Sequence, residues 1–255
     1  MDNLAETLQR FVVGSGAIHA TGTTIRLQNE ATTTAAYTNA QLDDYQDLSR
    51  AAFPRQPPLA MTLQARFSHP VDQLRGTAGF GFWNDPFMPA MQRWPTLPRA
   101  LWFFFSSPPS NMALALDVPG PGWKAATLDA WRWPFFLLAP TAPVAMPLMR
   151  WRPFYRRLWP IGQRAIGVCE ALLMFDMTQW HTYTLTWESN RVRFAVNGVE
   201  VLCCDQSPGG PLGLVIWKDN QAMRVTPWSL PRHQLVGCAE TQWLEIADLQ
   251  IVVPL

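Results

Sequence analysis

The sequence predicts an all-β protein built from antiparallel strands, and two observations carry that prediction. The first is the stretch 180–202, WHTYTLTWESNRVRFAVNGVEVL. Tyr183, Leu185 and Trp187 alternate with Thr182, Thr184 and Thr186. After the polar break Glu188-Ser189-Asn190, the period of two resumes at Val192, Phe194 and Val196. That period puts successive side chains on opposite faces of a strand. Asn197-Gly198 supplies the pair that tolerates the left-handed backbone of a type I′ hairpin turn, so the stretch reads as a three-strand meander. The second observation is composition. The 255 residues are 48% hydrophobic and 15% charged, with 23 prolines and 13 tryptophans, against a usual charged fraction of about 25%. This implies many short strands, proline-punctuated loops and more aromatic surface than a core requires. Sandwiches of this length commonly form one unit, and a single domain over 1–255 is expected.

Taken in order, Asp2 and Asn3 are cap-type residues for a short helix over 2–10. From Phe11, FVVGSGAIHATGTTIRLQN places Gly-Ser-Gly and Thr-Gly turns between apolar runs, and TTTAAYTNAQLDDYQ follows. FPRQPP is a loop. In LAMTLQARF, Leu59, Met61, Leu63, Ala65 and Phe67 face inward. GTAGFGFW is a glycine-rich aromatic strand in which Gly79 and Gly81 leave one face almost bare. Such a face suits either close approach of a ligand or tight sheet-on-sheet packing. LWFFFS (101–106) and MALALDV (112–118) are further strand candidates, the β pattern fails over 119–177, and GLVIW (213–217) and WLEIADLQIVV (243–253) complete the sheets. No internal repeat is present.

The net charge of +1 gives no general reason for nucleic-acid binding, and none is expected. The N-terminus has two acids before its first base and no long apolar run, so it does not read as a secretory signal and a cytoplasmic location is expected. Cys169, Cys203, Cys204 and Cys238 form no C-x-x-C pair. Free thiols are the first expectation, and a disulfide through Cys169 or Cys238 the alternative. Adjacent Cys203 and Cys204 on a strand face opposite ways. The four histidines are dispersed without ligand spacing, so neither a metal site nor a cofactor is expected.

Three segments are similar to motifs of a known family. GTAGFGFWND looks like a strand ending in an Ala-Phe-Trp-like motif. WHTYTLTW…VRFAVNGVEV matches a strand pair of the form F-H-T-Y-x-x-x-W…I-x-F-x-V-D-G, with Asn197 in place of Asp, and WLEIADLQIVV is similar to a closing strand. On these residues the chain resembles the concanavalin A-like lectin/glucanase superfamily, in particular its laminarinase and β-glucanase branch, over roughly 11–253 apart from 119–177. The resemblance implies an antiparallel β-jelly-roll sandwich with one convex and one concave sheet, any ligand lying in the concave groove. It implies a structural role for His181. Hydrolytic members carry Glu-x-Asp-x-x-Glu after the Phe-Trp strand, and retaining chemistry needs two carboxylates roughly 5–5.5 Å apart. The matching stretch here, ALWFFFSSPPSNMALALDVPG, holds only Asp117, so no glycosidase activity is expected.

Candidate groove residues follow from polar and aromatic side chains on these strands. Tyr37, Asn39, Gln41 and Asp43 form one cluster; Phe82, Trp83 and Asn84 a second; Asp219 and Asn220, beside Trp217, a third. Trp102 joins them from the LWFFFS strand. Asp85, Asp44 and Tyr45 are the acid/base candidates. Each cluster also has a bland reading, as a turn or an exposed loop. The frame of the resemblance would bring the three to one rim.

The stretch 119–177 reads as a partly helical insertion. Residues 133–149, WPFFLLAPTAPVAMPLM, carry no charge, and the prolines at 134, 140, 143 and 147 argue against a regular or membrane-spanning helix. Between Ala130 and Cys169 stand six arginines and no acid. Pro153 and Pro160 suit the first turns of two short helices, and 161–174 reads as helical. Trp151, Arg152, Arg156, Arg157 and Trp159 are its candidate contact residues, either as a lid on the groove or at an anionic membrane surface; plain packing on the sandwich is the third reading.

Three functions are compatible with this sequence. The first is a binding protein whose aromatic groove takes a glycan or an apolar or aromatic small molecule. The second is a non-hydrolytic enzyme of isomerase or cyclase type. The third is a peripheral membrane or partner-docking protein.

Overall fold

Alternation in the strand Leu59–Phe67 sets the geometry of one sheet: its odd-numbered residues are buried and its even-numbered residues partly exposed. In the computed structural model, which describes residues 7–86, 94–112, 115–226 and 232–253, this strand (β5) lies at the centre of a seven-stranded antiparallel sheet. Its neighbours are β10 (His181–Trp187) and β16 (Gln242–Val252), followed outward by β11 (Val192–Val196) and β12 (Val199–Cys204) on one side and β3 (Thr24–Asn29) and β2 (Gly16–Thr21) on the other. The meander is as expected, with Asn197 and Gly198 both at positive φ (50° and 78°) in the turn.

A second seven-stranded sheet has the order β1 (Gln9–Val13), β4 (Asn39–Asp43), β13 (Gly213–Asp219), β6 (Thr77–Trp83), β7 (Arg99–Ser106), β8 (Gly122–Asp129), β9 (Cys169–Leu172). The two sheets pack face to face as a β-jelly-roll sandwich. Between them Phe80 and Phe103 from the second sheet meet Tyr183 from the first at ring-centroid distances of 5.1 and 5.0 Å, with Trp123 beside them. A third, two-stranded sheet pairs β14 (Gln221–Arg224) with β15 (Arg232–Leu235).

The structure corrects several expectations. The slot beside β7 is taken by β8, so the described residues of 112–118 lie in turns instead of a strand. Every residue of β8 is buried; with both faces covered there is no alternation to read. The break in the β pattern therefore narrows from 119–177 to the segment between β8 and β9. That segment holds three short helices, α1 (Trp133–Leu138), α2 (Ala142–Leu148) and α3 (Arg152–Ala165), each with a proline in its first turn. Pro160 lies inside α3 and starts no helix of its own. The helix ends at Ala165 before Gly167 (φ 60°), and Cys169–Leu172 is a strand, contrary to a helix over 161–174. Among the described residues of 2–10, Gln9 and Arg10 belong to β1; residues 1–6 lie outside the described set. No described helix is long and apolar enough to cross a membrane.

The expectation of four free thiols is also overturned. Cys169 at the edge of one sheet and Cys204 at the edge of the other are joined in a disulfide, with Cα atoms 6.1 Å apart and a sequence separation of 35. Cys204 is buried and Cys203 exposed, as alternation requires. The bond closes the sandwich along one side, at the base of the helical excursion. Closing a loop of this length stabilises by about 3–4 kcal/mol through the unfolded-chain entropy. Replacing both cysteines by serine is expected to lower the guanidinium unfolding free energy by about that amount, and to leave a protein that no longer responds to reductant.

Candidate functional site

The register of the second sheet decides what its outer face presents. In β6, Ala78, Phe80 and Phe82 point into the core, so Gly79, Gly81 and Trp83 point outward. Their partners in register are Trp217, Phe104, Val215 and Trp102. The bare glycine face expected from sequence is filled by aromatic rings. A Cβ on Gly79 would lie 2.9 Å from the Trp217 ring and 2.3 Å from the Phe103 carbonyl, and one on Gly81 (φ 154°) 2.6 Å from the Trp102 backbone. Glycine is needed at both positions because the backbone of β7 would collide with a Cβ, and at Gly79 the Trp217 ring would as well.

The result is an aromatic platform across β13, β6 and β7. Trp83 and Trp217 are nearly parallel (5°) with centroids 6.5 Å apart, Trp102 lies 5.6 Å from Trp217, and Trp102 stacks on Phe104 at 5.4 Å. Trp83 and Trp102 stay partly exposed while Trp217 and Phe104 are each 8% exposed. Phe104 was not singled out from sequence, although its place two residues beyond Trp102 in one strand puts it on the same face. Phe82, by contrast, is a core residue stacked 5.8 Å from Trp187: its placement in the groove is corrected, because a shift of one position in a strand reverses the face.

At one end of the platform a polar group is fully assembled. The Trp83 indole N–H donates to the Tyr45 hydroxyl (2.6 Å), and Gln41 Nε2 donates to both Asp43 (2.8 Å) and Tyr45 (3.3 Å). Asp43 also accepts from the Tyr45 amide and from Gln46. Burial pushes its carboxyl above the usual carboxylate range, against the lowering effect of those hydrogen bonds. Asp44 pairs with Arg55 (2.7 Å) and accepts from the Leu214 amide; its pKa too is raised, chiefly by burial. Asn84 bridges the Leu97 carbonyl and the Arg99 amide, and Asp85, buried at φ 47°, offers its carbonyl to Arg50. These are the contacts of a shaped turn.

At the opposite end, Asp219 accepts from the Thr77 amide and hydroxyl and from the Gln221 amide, and the Trp217 N–H donates to Thr77 Oγ1 (2.9 Å). Burial raises the Asp219 carboxyl, and burial together with the nearby Asp219 charge raises the Tyr37 phenol. Asn39 donates to the Phe11 carbonyl, while Asn220 accepts from the Thr38 amide and donates to Thr33 and Ala36, fixing the 33–38 loop. The predicted clusters therefore do not meet at one rim. Tyr37, Asn39, Asp219 and Asn220 gather at one end, and Asp43, Tyr45 and Asn84 lie toward the other.

Sequence reasoning missed the third margin. Lys124 and Glu170, each 1% exposed in the side chain, form an ion pair of 2.6 Å on the outer face of β8 and β9. Lys124 also donates to the Pro119 and Gly120 carbonyls, and Glu170 accepts from the Ala115 amide, so the pair holds down the 115–120 loop. Burial raises the Glu170 carboxyl despite Lys124. A lysine in the middle of the run GWKAATLD, flanked by Trp123 and two alanines, was the available signal.

The outward positions of β7 are Ala100, Trp102, Phe104 and Ser106. Among the described residues of this face, Asp43 and Asp219 stand four residues apart along one strand direction, roughly 13 Å, and Glu170 lies five strands from Asp43, roughly 24 Å. No described group of His, Cys, Asp and Glu is arranged to hold a metal ion.

The fold and this face define a jelly-roll sandwich with an aromatic outer sheet. No family model matches the chain, and no curated protein matches it in sequence. Among solved structures, it is similar to one described under endo-acting O-glycanases of the human gut microbiota (10% identity, 94% of this chain and 84% of that one, TM-score 0.48). It is also similar to a Bacillus licheniformis β-glucanase (10% identity, 97% and 92%, TM-score 0.47). A third likeness is to the binding domain of botulinum neurotoxin DC in complex with SialylT (7% identity, TM-score 0.45), where 96% of this chain spans 42% of the other. The fold assignment rests on the sheet topology above.

Two measurements probe this construction. Tyr45→Phe removes the acceptor of the Trp83 N–H and is expected to cost about 1–3 kcal/mol, read as a lowered urea midpoint at unchanged m. Lys218, 2% exposed, donates to the carbonyls of Arg75 and Asp219, and burial lowers its pKa to about 8. The unfolded chain then holds more protons than the folded one between about pH 8 and pH 10, so this group makes stability rise with pH across that window, by about 3 kcal/mol in total. In Lys218→Met this rise is expected to disappear from the pH dependence of the unfolding free energy.

Proposed function

We propose that the protein is a carbohydrate-binding jelly roll, and that the outer aromatic sheet is its binding face. The observation that carries this reading is the platform of Trp83, Trp102, Phe104 and Trp217, with two indoles partly open to solvent. Sugar rings present a C–H face that stacks on indoles, and the two partly exposed rings supply such a surface. The absence of glycosidase activity belongs to the same proposal. Its support is that β7 presents Trp102, Phe104 and Ser106 outward, and that Asp43, Asp219 and Glu170 stand well beyond the 5–9.5 Å of glycosidase pairs from one another. The Asp44 carboxylate and the Tyr45 hydroxyl are engaged in the fold's own hydrogen bonds, so acid/base catalysis gains no support from their geometry.

The test is titration of β-glucan, mucin-type and sialylated oligosaccharides, followed by calorimetry and thermal shift. At least one class is expected to bind and to stabilise the protein. Trp102→Ala is expected to weaken that binding at least tenfold, in line with ~1–3 kcal/mol for loss of one stacking partner, with the fold intact by near-ultraviolet circular dichroism. Binding unaffected by both Trp83→Ala and Trp102→Ala would remove the face from consideration. Release of reducing ends during incubation would overturn the non-hydrolytic part.

A further inference from the structure

The helical excursion between β8 and β9 is the part of the molecule that the sandwich does not explain. Its neck is well tied. The Asp129 amide donates to the Ile166 carbonyl and the Ala130 amide to Pro98, while Arg132 reaches the Arg164 carbonyl and Gln206. Beyond the neck, Met149 is the only buried residue of 131–164. Nine of the nineteen large hydrophobic residues exposed among the described residues belong to this segment, including Trp133 (71%), Leu137 (67%), Val144 (66%) and Trp151 (63%). Scattered exposed apolar residues are ordinary, but this concentration forms a patch of the kind that marks an interaction surface.

The charge of the segment identifies the partner. Six arginines stand among these residues without one acid, and Arg150, Arg152, Arg156 and Arg157 are exposed and enter no ion pair among the described residues. Arg150, Arg152 and Arg156 line a cavity of about 550 Å³ together with Tyr155, Met149 and Leu116, the last contributed by the loop that Lys124 and Glu170 hold down. Guanidinium groups above an apolar floor suit a group that is anionic at its head and hydrocarbon below it. In α3 the spacing puts Phe154, Leu158, Ile161 and Ala165 along one side and Arg152 and Arg156 on another. A stretch of seventeen chargeless residues, 133–149, offers few side-chain hydrogen-bonding groups to a protein partner, whereas tryptophans beside arginines are suited to a headgroup boundary.

We infer that the 131–164 excursion docks the protein on an anionic phospholipid surface, with the arginine-lined cavity receiving a lipid phosphate and the exposed aromatic and aliphatic residues entering the headgroup boundary. The site is separate from the aromatic sheet, so this inference stands or falls independently of carbohydrate binding. The whole protein should be sedimented with phosphatidylcholine vesicles and with phosphatidylcholine–phosphatidylserine vesicles. Binding is expected to the second only, to weaken steeply with added salt, and to be accompanied by tryptophan quenching by brominated acyl chains. Substituting Arg152→Glu, Arg156→Glu and Arg157→Glu together is expected to lower partitioning on the order of 100-fold. Trp133→Ala with Leu137→Ala and Trp151→Ala is expected to abolish quenching, with thermal unfolding unchanged in both. Should a variant fail to fold, the salt dependence and quenching of the unaltered protein still decide. Equal binding to both vesicle types, absence of binding to either, or retention on RNA or a protein in place of vesicles overturns the inference.

Discussion

Burial of three strands of one sheet on both of their faces is the constraint on which most of this structure depends. Strands β4, β8 and β13 are buried at every residue, whereas β5 and β10 alternate between core and partly exposed positions. Strands covered on both faces gain from pairing their polar groups within the protein, since an unpaired buried group costs a few kcal/mol, although Asn39 Oδ1 stays unpaired among the described residues. That gain accounts for the hydrogen bonds converging on Asp43 and Asp219, and for the carbonyls gathered around Lys124 and Lys218. It also accounts for the glycines of β6. With neighbouring backbone and the Trp217 ring against its middle from outside and phenylalanines packing from inside, the strand has no room for a side chain at Gly79 or Gly81.

The same constraint explains what could be read from the sequence. The strands of the β5 sheet announce themselves, because a half-exposed strand must alternate; 59–67 and 180–202 are legible residue by residue, down to the Asn197-Gly198 turn. In the doubly covered strands the alternation disappears. GWKAATLD offers no period, so the sequence pattern favours a strand at 112–118, whose described residues form turns, over the strand that β8 makes. Of the candidate site, Trp83, Trp102, Trp217, Gln41 and Asp43 do share the outer face. Phe82 was misplaced because FGFW gives an aromatic on each face and the sequence does not say which of two adjacent rings points inward. The Lys124–Glu170 pair and the Cys169–Cys204 bridge join residues far apart in the chain, which no local pattern discloses.

The helical excursion obeys a different logic from the sandwich that carries it. It contributes almost nothing to the buried core, so its removal would leave both sheets with their interior contacts. What it keeps is a neck made of backbone hydrogen bonds and a disulfide beside its return strand. Its prolines set the first turns of three short helices instead of permitting one long one, which holds apolar side chains outward on a shape that cannot collapse into a helix pair with a sealed interface. A segment with this much exposed apolar surface is retained at a cost in solubility, and the rigidity of its attachment suits a surface that has to be presented in one orientation.

The buried charges of the outer sheet divide their labour with its aromatic rings. A desolvated ion pair such as Lys124–Glu170 adds little net stability, because the cost of removing two charges from water offsets most of their attraction. Its effect is positional. By binding the carbonyls of Pro119 and Gly120 and the amide of Ala115, it sets the path of a loop that flanks the platform, as Asn220 sets the 33–38 loop at another margin. Since the apolar contacts of the rings are non-directional, they favour a compact face without specifying the height or path of its margins. The charged and amide groups supply that specification, so the margins of the platform are set by the fold itself.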